Sequence, residues 1–141
     1  MFLGEYEYKV DSKGRLPLPT KFRQEFVGGL ILTRGLEPCI NVYKTEEFNK
    51  LADKLSNQTV AKNKLRKLNR FTFGSAFDQS LDGQGRMALP QTLRNYAQIE
   101  DTVIIVGANK WIELWSPKLW NEERIASEEQ AWQIIESLED Q

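Results

Sequence analysis

The sequence predicts an α+β fold in which two copies of one unit, each of four short strands and two helices, pack as a pseudo-two-fold pair with flanking helices. Three observations predict it. A 13-residue stretch occurs twice: Asp11-Ser12-Lys13-Gly14-Arg15-Leu16-Pro17-Leu18-Pro19-Thr20-Lys21-Phe22-Arg23 returns 71 positions later as Asp82-Gly83-Gln84-Gly85-Arg86-Met87-Ala88-Leu89-Pro90-Gln91-Thr92-Leu93-Arg94. Six positions are identical: Asp11/Asp82, Gly14/Gly85, Arg15/Arg86, Leu18/Leu89, Pro19/Pro90 and Arg23/Arg94. Strand-period alternation leads into each copy and helix signals follow it. Each copy of this 141-residue chain is too short for a core of its own, so the two must bury their apolar faces in one another.

Taken in order, Tyr6, Tyr8 and Val10 alternate with Glu5, Glu7 and Lys9, the period of a half-buried strand. Asp11 and Gly14 fit the first and fourth positions of a type I turn, where the carboxylate can accept backbone N–H groups and glycine tolerates positive φ. Arg15–Leu18 resumes extended, and Pro17 marks it as short or at an edge. Pro19 opens a helix of about two turns with Phe22, Phe26 and Val27 on one face, ended by Gly28-Gly29. Leu30–Thr33 and Cys39–Tyr43 read as two strands joined by a Gly- and Pro-punctuated loop. The single Cys39, in an apolar context, reads as a small buried hydrophobe.

Thr45, with Glu46 and Glu47 behind it, marks the start of a helix whose Phe48, Leu51, Ala52 and Leu55 form a stripe. After Ser56–Thr59, a second helix over 60–70 turns Ala61, Leu65 and Leu68 inward and five cations outward; those charges fit either a solvated face or a nucleic-acid contact. Phe71, Phe73, Phe77 and Leu81 occupy odd positions and predict the counterpart of the opening strand. The second copy then repeats the series: a helix opened by Pro90, strands at Thr102–Gly107 and Trp111–Trp115, Gly107 matched to Gly35, Trp115 to Tyr43 and Trp120 to Phe48. Ser116-Pro117 starts the next helix, and the capping box Ser127-Glu128-Glu129-Gln130 starts a separate final one, carrying Trp132, Ile135 and Leu138 and ending in Glu139-Asp140-Gln141.

Composition narrows the chemistry. With no histidine and one cysteine there is no Ser-His-Asp or Cys-His nucleophile and no thiolate metal cage, so no enzyme activity, metal or cofactor is expected. No apolar run approaches a membrane span, and Met1-Phe2-Leu3 passes at once into Gly4-Glu5-Tyr6-Glu7, unlike a signal peptide; a cytoplasmic location is expected. The net charge of −1 conceals an asymmetry, since residues 1–70 hold 14 Lys+Arg against 8 Asp+Glu and residues 71–141 hold 5 against 12. One region therefore faces polyanions and another is acidic.

The opening Met1–Tyr6, the two Asp-x-x-Gly-Arg stretches with their Leu-Pro ends, Leu32-Thr33-Arg34-Gly35 and Cys39–Tyr43 resemble the MraZ family, in order, from residue 1 to about 120. The resemblance implies two SpoVT-AbrB (swapped-hairpin) domains at 5–47 and 76–119, forming β-barrel halves, with a helical linker at 48–75 and an acidic C-terminal helix at 120–141. It also implies a regulator of the division and cell-wall gene cluster, bound to repeated sites in double-stranded promoter DNA, ring-shaped homo-oligomers and association with the nucleoid. Membrane and small-molecule substrate are not implied.

On residue chemistry, Arg15 and Arg86 are the candidates for reading guanine in the major groove, because the guanidinium fork matches O6 and N7. Asp11, Gly14, Asp82 and Gly85 shape the loops: an aspartate facing phosphate would be repelled, so it accepts turn N–H groups or orients the arginine. Lys13 is a phosphate contact, which Gln84 lacks, and Arg23 and Arg94 are either phosphate contacts or exposed surface. Two competing readings are a phosphoryl enzyme built on the paired aspartates and a scaffold ring that binds only protein; the first is disfavoured because both carboxylates belong to turns and no nucleophile accompanies them.

Overall fold

The computed structural model describes residues 1–139; Asp140 and Gln141, the end of the expected acidic helix, lie outside the described residues. The first unit comprises β1 (Glu5–Lys9), β2 (Arg15–Pro17), α1 (Thr20–Arg23, continued by a 3₁₀ turn Gln24–Phe26), β3 (Leu30–Arg34), β4 (Ile40–Lys44) and α2 (Thr45–Ser56). After α3 (Lys62–Phe73), the second unit follows as β5 (Phe77–Gln79), β6 (Arg86–Ala88), α4 (Gln91–Ala97), β7 (Thr102–Gly107), β8 (Trp111–Trp115) and α5 (Pro117–Glu139).

The units exchange strands. A six-stranded antiparallel sheet runs β1-β7-β8-β4-β3-β5, and β2 pairs with β6 in a separate ribbon. Within a unit only β3 pairs with β4 and β7 with β8; β1, β2 and β5 find their partners in the other unit. The six-stranded sheet stays open, with β1 and β5 at its edges, so the two barrel halves do not close into a barrel. Two registers locate the pseudo-two-fold axis, because equivalent residues face each other there: Leu16 with Met87 in the ribbon and Asn41 with Glu113 in the sheet.

One face of the sheet, with Leu30, Leu32, Ile40, Val42, Val103, Ile105, Ile112 and Leu114, is buried beneath Leu16, Leu18, Met87 and Leu89 of the ribbon and Phe22 and Leu93 of the short helices. Burying an aliphatic side chain contributes about 1.5–3 kcal/mol, so this shared face is what holds both units in one body. Phe2 joins the same core, stacked on Phe26 and edge-on to Phe22. Cys39 is fully buried, its Sγ 3.6 Å from Asn41 Oδ1, and burial pushes its thiol pKa up, which fits a small hydrophobe. The other face lies under the longer helices: Phe48 of α2 meets Tyr43, and Trp120 of α5 meets Trp115, an equivalent pair in each unit.

Several expectations need correcting. Phe71 and Phe73 belong to α3, since buried Thr72 continues the helical spacing of Leu65 and Leu68, so β5 keeps only three residues. Ala61 is exposed, as is Val27. Thr45 is not a cap: it is the first helical residue, and its hydroxyl donates to Gly28 O. The capping box at Ser127 starts no helix, because Arg124-Ile125-Ala126 has no breaker and Ser127 Oγ instead meets Glu123 Oε1 one turn back; α5 is one helix of 23 residues. By strand register Gly107 matches Arg34, not Gly35: Gly107 faces Ile112, and Arg34 faces Ile40.

Candidate nucleic-acid interface

Each repeated stretch forms the same tight loop. In the first, Gly14 N–H donates to Asp11 O at 3.0 Å and Asp11 N–H to Arg15 O at 2.9 Å, closing the turn. Asp11 Oδ1 accepts the N–H groups of Lys13 and Arg15, both at 2.9 Å, and Oδ2 accepts Arg15 Nε at 2.8 Å. The second loop has the same bonds: Asp82 Oδ1 accepts from Gln84 and Arg86 N–H at 2.9 Å, and Oδ2 accepts Arg86 Nε at 2.8 Å. Gly14 and Gly85 take φ of 77° and 73°, the left-handed conformation that the loop needs at this point. One carboxylate thus makes the turn and directs the guanidinium at once, the two roles the sequence left open.

The loops stand at opposite ends of the short antiparallel ribbon, and Arg15 and Arg86 share the face turned away from buried Leu16 and Met87. The pairing of β2 with β6 is prolonged by Leu18 N–H to Gly85 O at 3.1 Å and Leu89 N–H to Gly14 O at 2.8 Å, so each loop is tied to the other unit's strand. Across the axis Arg86 Nη1 lies 3.7 Å from Asp11 Oδ2. Arg15 is held through Nε alone; among the described residues its terminal amines have no hydrogen-bond acceptor. A guanidinium gripped by Nε with a free outer edge has a fixed direction and unspent donors.

Arg23 and Arg94 sit between the units. Arg23 Nε donates to Leu18 O and Arg94 Nε to Leu89 O, both at 3.1 Å. Each then lies over the opposite loop: a Cβ on Gly85 would meet Arg23 Nε at 2.3 Å, and one on Gly14 would meet Arg94 Nη2 at 3.3 Å. Both are half-buried, and Arg94 Nη2 also donates to Gln91 Oε1 at 2.7 Å. The sequence showed that these arginines repeat, but the brace they form could not be seen, because it crosses from one unit to the other. The Lys13 side chain is exposed and, among the described residues, has no ion-pair partner; Gln84 takes its place in the second loop.

The local field favours ionised aspartates. The Arg15 N–H holds the Asp11 carboxyl below its ordinary pKa, aided by the Arg15 side chain and the Lys13 N–H; the Arg86 N–H does the same for Asp82, with help from Gln84 N–H and the Arg86 side chain. Among the described residues no group of three or more acidic or cysteine side chains is placed to hold a metal, and no helix is long and apolar enough to cross a membrane.

An axis relating two strand-exchanged units, with an Asp-gripped arginine on each side, defines a tandem-repeat protein of intertwined hairpins. The chain belongs to the MraZ family: residues 1–71 and 72–137 each match the family described as "MraZ protein, putative antitoxin-like". It is 50% identical over 141 residues, 99% of either chain, to a protein of Dehalococcoides mccartyi strain BAV1 named Transcriptional regulator MraZ. Proteins of that name from Halothermothrix orenii, 40% identical over 99% of this chain and 98% of the relative, and Roseiflexus castenholzii, 41% identical over 85% and 84%, are also similar.

Proposed function

We propose that this chain is a transcriptional regulator that reads repeated sites in double-stranded promoter DNA, with the paired Asp-x-x-Gly-Arg loops as the reading heads. The observation that carries this reading is the juxtaposition, on one face of the β2–β6 ribbon, of two arginines each fixed through Nε by its own aspartate. A guanidinium directed in this way can present its fork to guanine O6 and N7 without first losing side-chain freedom. Lys13 contacts phosphate and positions the loop. Arg23 and Arg94 brace the loops and offer only their outer amines to phosphate. The relatives' printed name supports the regulator class, and the resemblance to the family supports repression of a division and cell-wall gene cluster, a cytoplasmic, nucleoid-associated location and no catalytic activity.

Magnitudes leave a single chain marginal. Two bidentate arginines contribute about 2–6 kcal/mol of base discrimination, whereas specific regulators separate from non-specific binding by about 4–10 kcal/mol. Several copies on repeated sites make the later contacts intramolecular, and a homo-oligomeric ring provides that. The deciding experiment compares the wild type with Arg15→Ala/Arg86→Ala on the chain's own promoter and on scrambled DNA over a salt series. The double variant should lose most of the preference for promoter while keeping a salt-dependent residual affinity. Unaltered preference in that variant would remove the arginines from base reading, and a wild type that binds neither DNA would favour the protein-binding scaffold.

A further inference from the structure

The outer face of the sheet is covered unequally. Over the first unit α3 folds back beside α2, with Phe73 edge-on to Phe48 at 5.7 Å and Thr33 Oγ1 donating to Thr72 O at 2.9 Å. Over the second unit α5, the equivalent of α2, packs only through its first turns: Trp120 rests on Trp115 at 5.6 Å and its Nε1 donates to Glu5 Oε2 at 3.3 Å. No described helix returns beside it. Ala131, Trp132, Ile135 and Leu138, spaced i, i+1, i+4 and i+7, form one apolar stripe, yet Trp132 is 71% exposed and Leu138 64%. Six glutamates accompany them on α5 against Lys118 and Arg124.

The first unit holds a surface of matching character. A cleft of about 560 Å³ opens between α2, α3 and the sheet, with Leu51, Leu55, Leu68 and Trp111 in its lining and Lys54 and Lys110 among its cations; of its acids, Glu47 pairs with Lys50, Glu113 accepts from Trp111 and Trp115, and Glu37 lies at the loop before β4. Among the described residues neither lysine has an ion-pair partner, and the adjoining α3 carries five cations and no acid. No residue of α5 lines this cleft in its own chain, because a straight helix of about 35 Å leaves the sheet from the β1–β7 side and contains no bend to bring it back.

We infer that α5 of one copy of this chain lies in the α2–α3 cleft of a second copy, with Trp132, Ile135 and Leu138 against the apolar lining and its glutamates toward Lys54, Lys110 and α3. The inference deepens, and rests on, the multi-copy reading above. Charge and polarity select the occupant: an acidic amphipathic helix matches an apolar cleft beside a cationic helix, and both are uncovered on the same molecule. The contact is heterologous, since helix and cleft are different patches. Each junction therefore leaves one free helix and one free cleft, which propagates until the rotation closes a ring.

Sedimentation of the full chain tests this with two variants whose changes are at exposed or cleft-lining positions. Trp132→Glu/Ile135→Glu destroys the helix stripe, and Leu55→Glu/Lys110→Glu destroys the cleft; Lys54→Glu/Lys110→Glu replaces the latter if circular dichroism shows misfolding. The wild type should sediment as an oligomer and each variant as a monomer. An equimolar mixture of helix and cleft variants should give a 1:1 heterodimer, since one intact helix and one intact cleft remain. Wild-type oligomers unaffected by either variant, or a mixture that stays monomeric, would overturn this interface while leaving the assembly reading intact. A wild type that is monomeric throughout would overturn both. Arg15→Ala/Arg86→Ala should keep the wild-type mass, which separates assembly from DNA reading.

Discussion

Where the first unit has Arg34, the second has Gly107, and the environments of these equivalent positions have little in common. The Arg34 guanidinium lies 4.5 Å from the Phe71 ring centroid, beside Tyr96, and donates to Phe71 O; Gly107 donates its N–H to Gly4 O and leaves no room for a side chain, since a Cβ would stand 2.6 Å from the Phe2 carbonyl carbon. A chain has one N-terminus, so only one unit must accommodate it. Near the axis the reverse holds. The two loops share every hydrogen bond of the Asp-x-x-Gly-Arg turn, and each arginine brace serves the other unit's loop. Even where identities differ, the pattern persists: Asn41 bonds to side chains two residues away on either side, Cys39 and Tyr43, and Glu113 likewise to Trp111 and Trp115. Residues near the axis meet their own counterparts and keep the same bonding pattern even where their identity differs, whereas peripheral residues meet different neighbours and diverge.

The likeness of the loops can be broken most strongly at their glycines. Gly85→Ala should cost about 2–5 kcal/mol, from a left-handed backbone and collision with Arg23, which Leu18 O holds in place. Gly14→Ala should cost about 1–2 kcal/mol, because Arg94 Nη2 at 3.3 Å can yield. Urea unfolding of both variants measures the gap, and equal losses would show that the braces are not sterically distinct. Acid offers a gentler probe. Both carboxyls have folded-state pKa values below the ordinary ~3.9, so their contribution to loop order is complete above that value and disappears as pH falls through the folded one. Carboxyl NMR titration with amide exchange at Lys13 and Gln84 should show both loops loosening below the ordinary carboxylate range; a midpoint at or above it for either loop would break the equivalence. The smallest effect is expected for Lys13→Gln, which gives the first loop the second loop's residue. It should lower the salt slope of DNA binding by about 1 and preserve base preference, and an unchanged slope would exclude Lys13 from phosphate contact.

The repeat itself was legible because Asp, Gly and Arg recur at fixed spacing, and most strands and helices followed from their apolar period. The limits of Thr102–Gly107 and Trp111–Trp115 read from sequence coincide with β7 and β8. What failed did so for local or relational reasons. Phe71 and Phe73 fit a period of two as well as a helix, and buried Thr72, in step with Leu65 and Leu68, was the signal that could have decided between them. Ser127 satisfied a capping-box pattern without a helix break before it. The exchange of β1, β2 and β5, the cover of Gly85 by Arg23 and of Gly14 by Arg94, and the burial of Phe2 all depend on contacts between distant parts of the chain, which no local period records.

The pairing of β1 with β7 joins segments roughly a hundred residues apart. During synthesis, at about 5–20 residues per second, the first unit therefore waits about 5–20 s with its N-terminal strand unmatched before its partner has been translated. Newly made β1 and β2 are in that interval open to pairing with another nascent chain, and two first units exchanging strands with each other would reproduce the pseudo-symmetric body as a true dimer. The tether between the units keeps the correct partner strand on the same chain as the strand that waits for it.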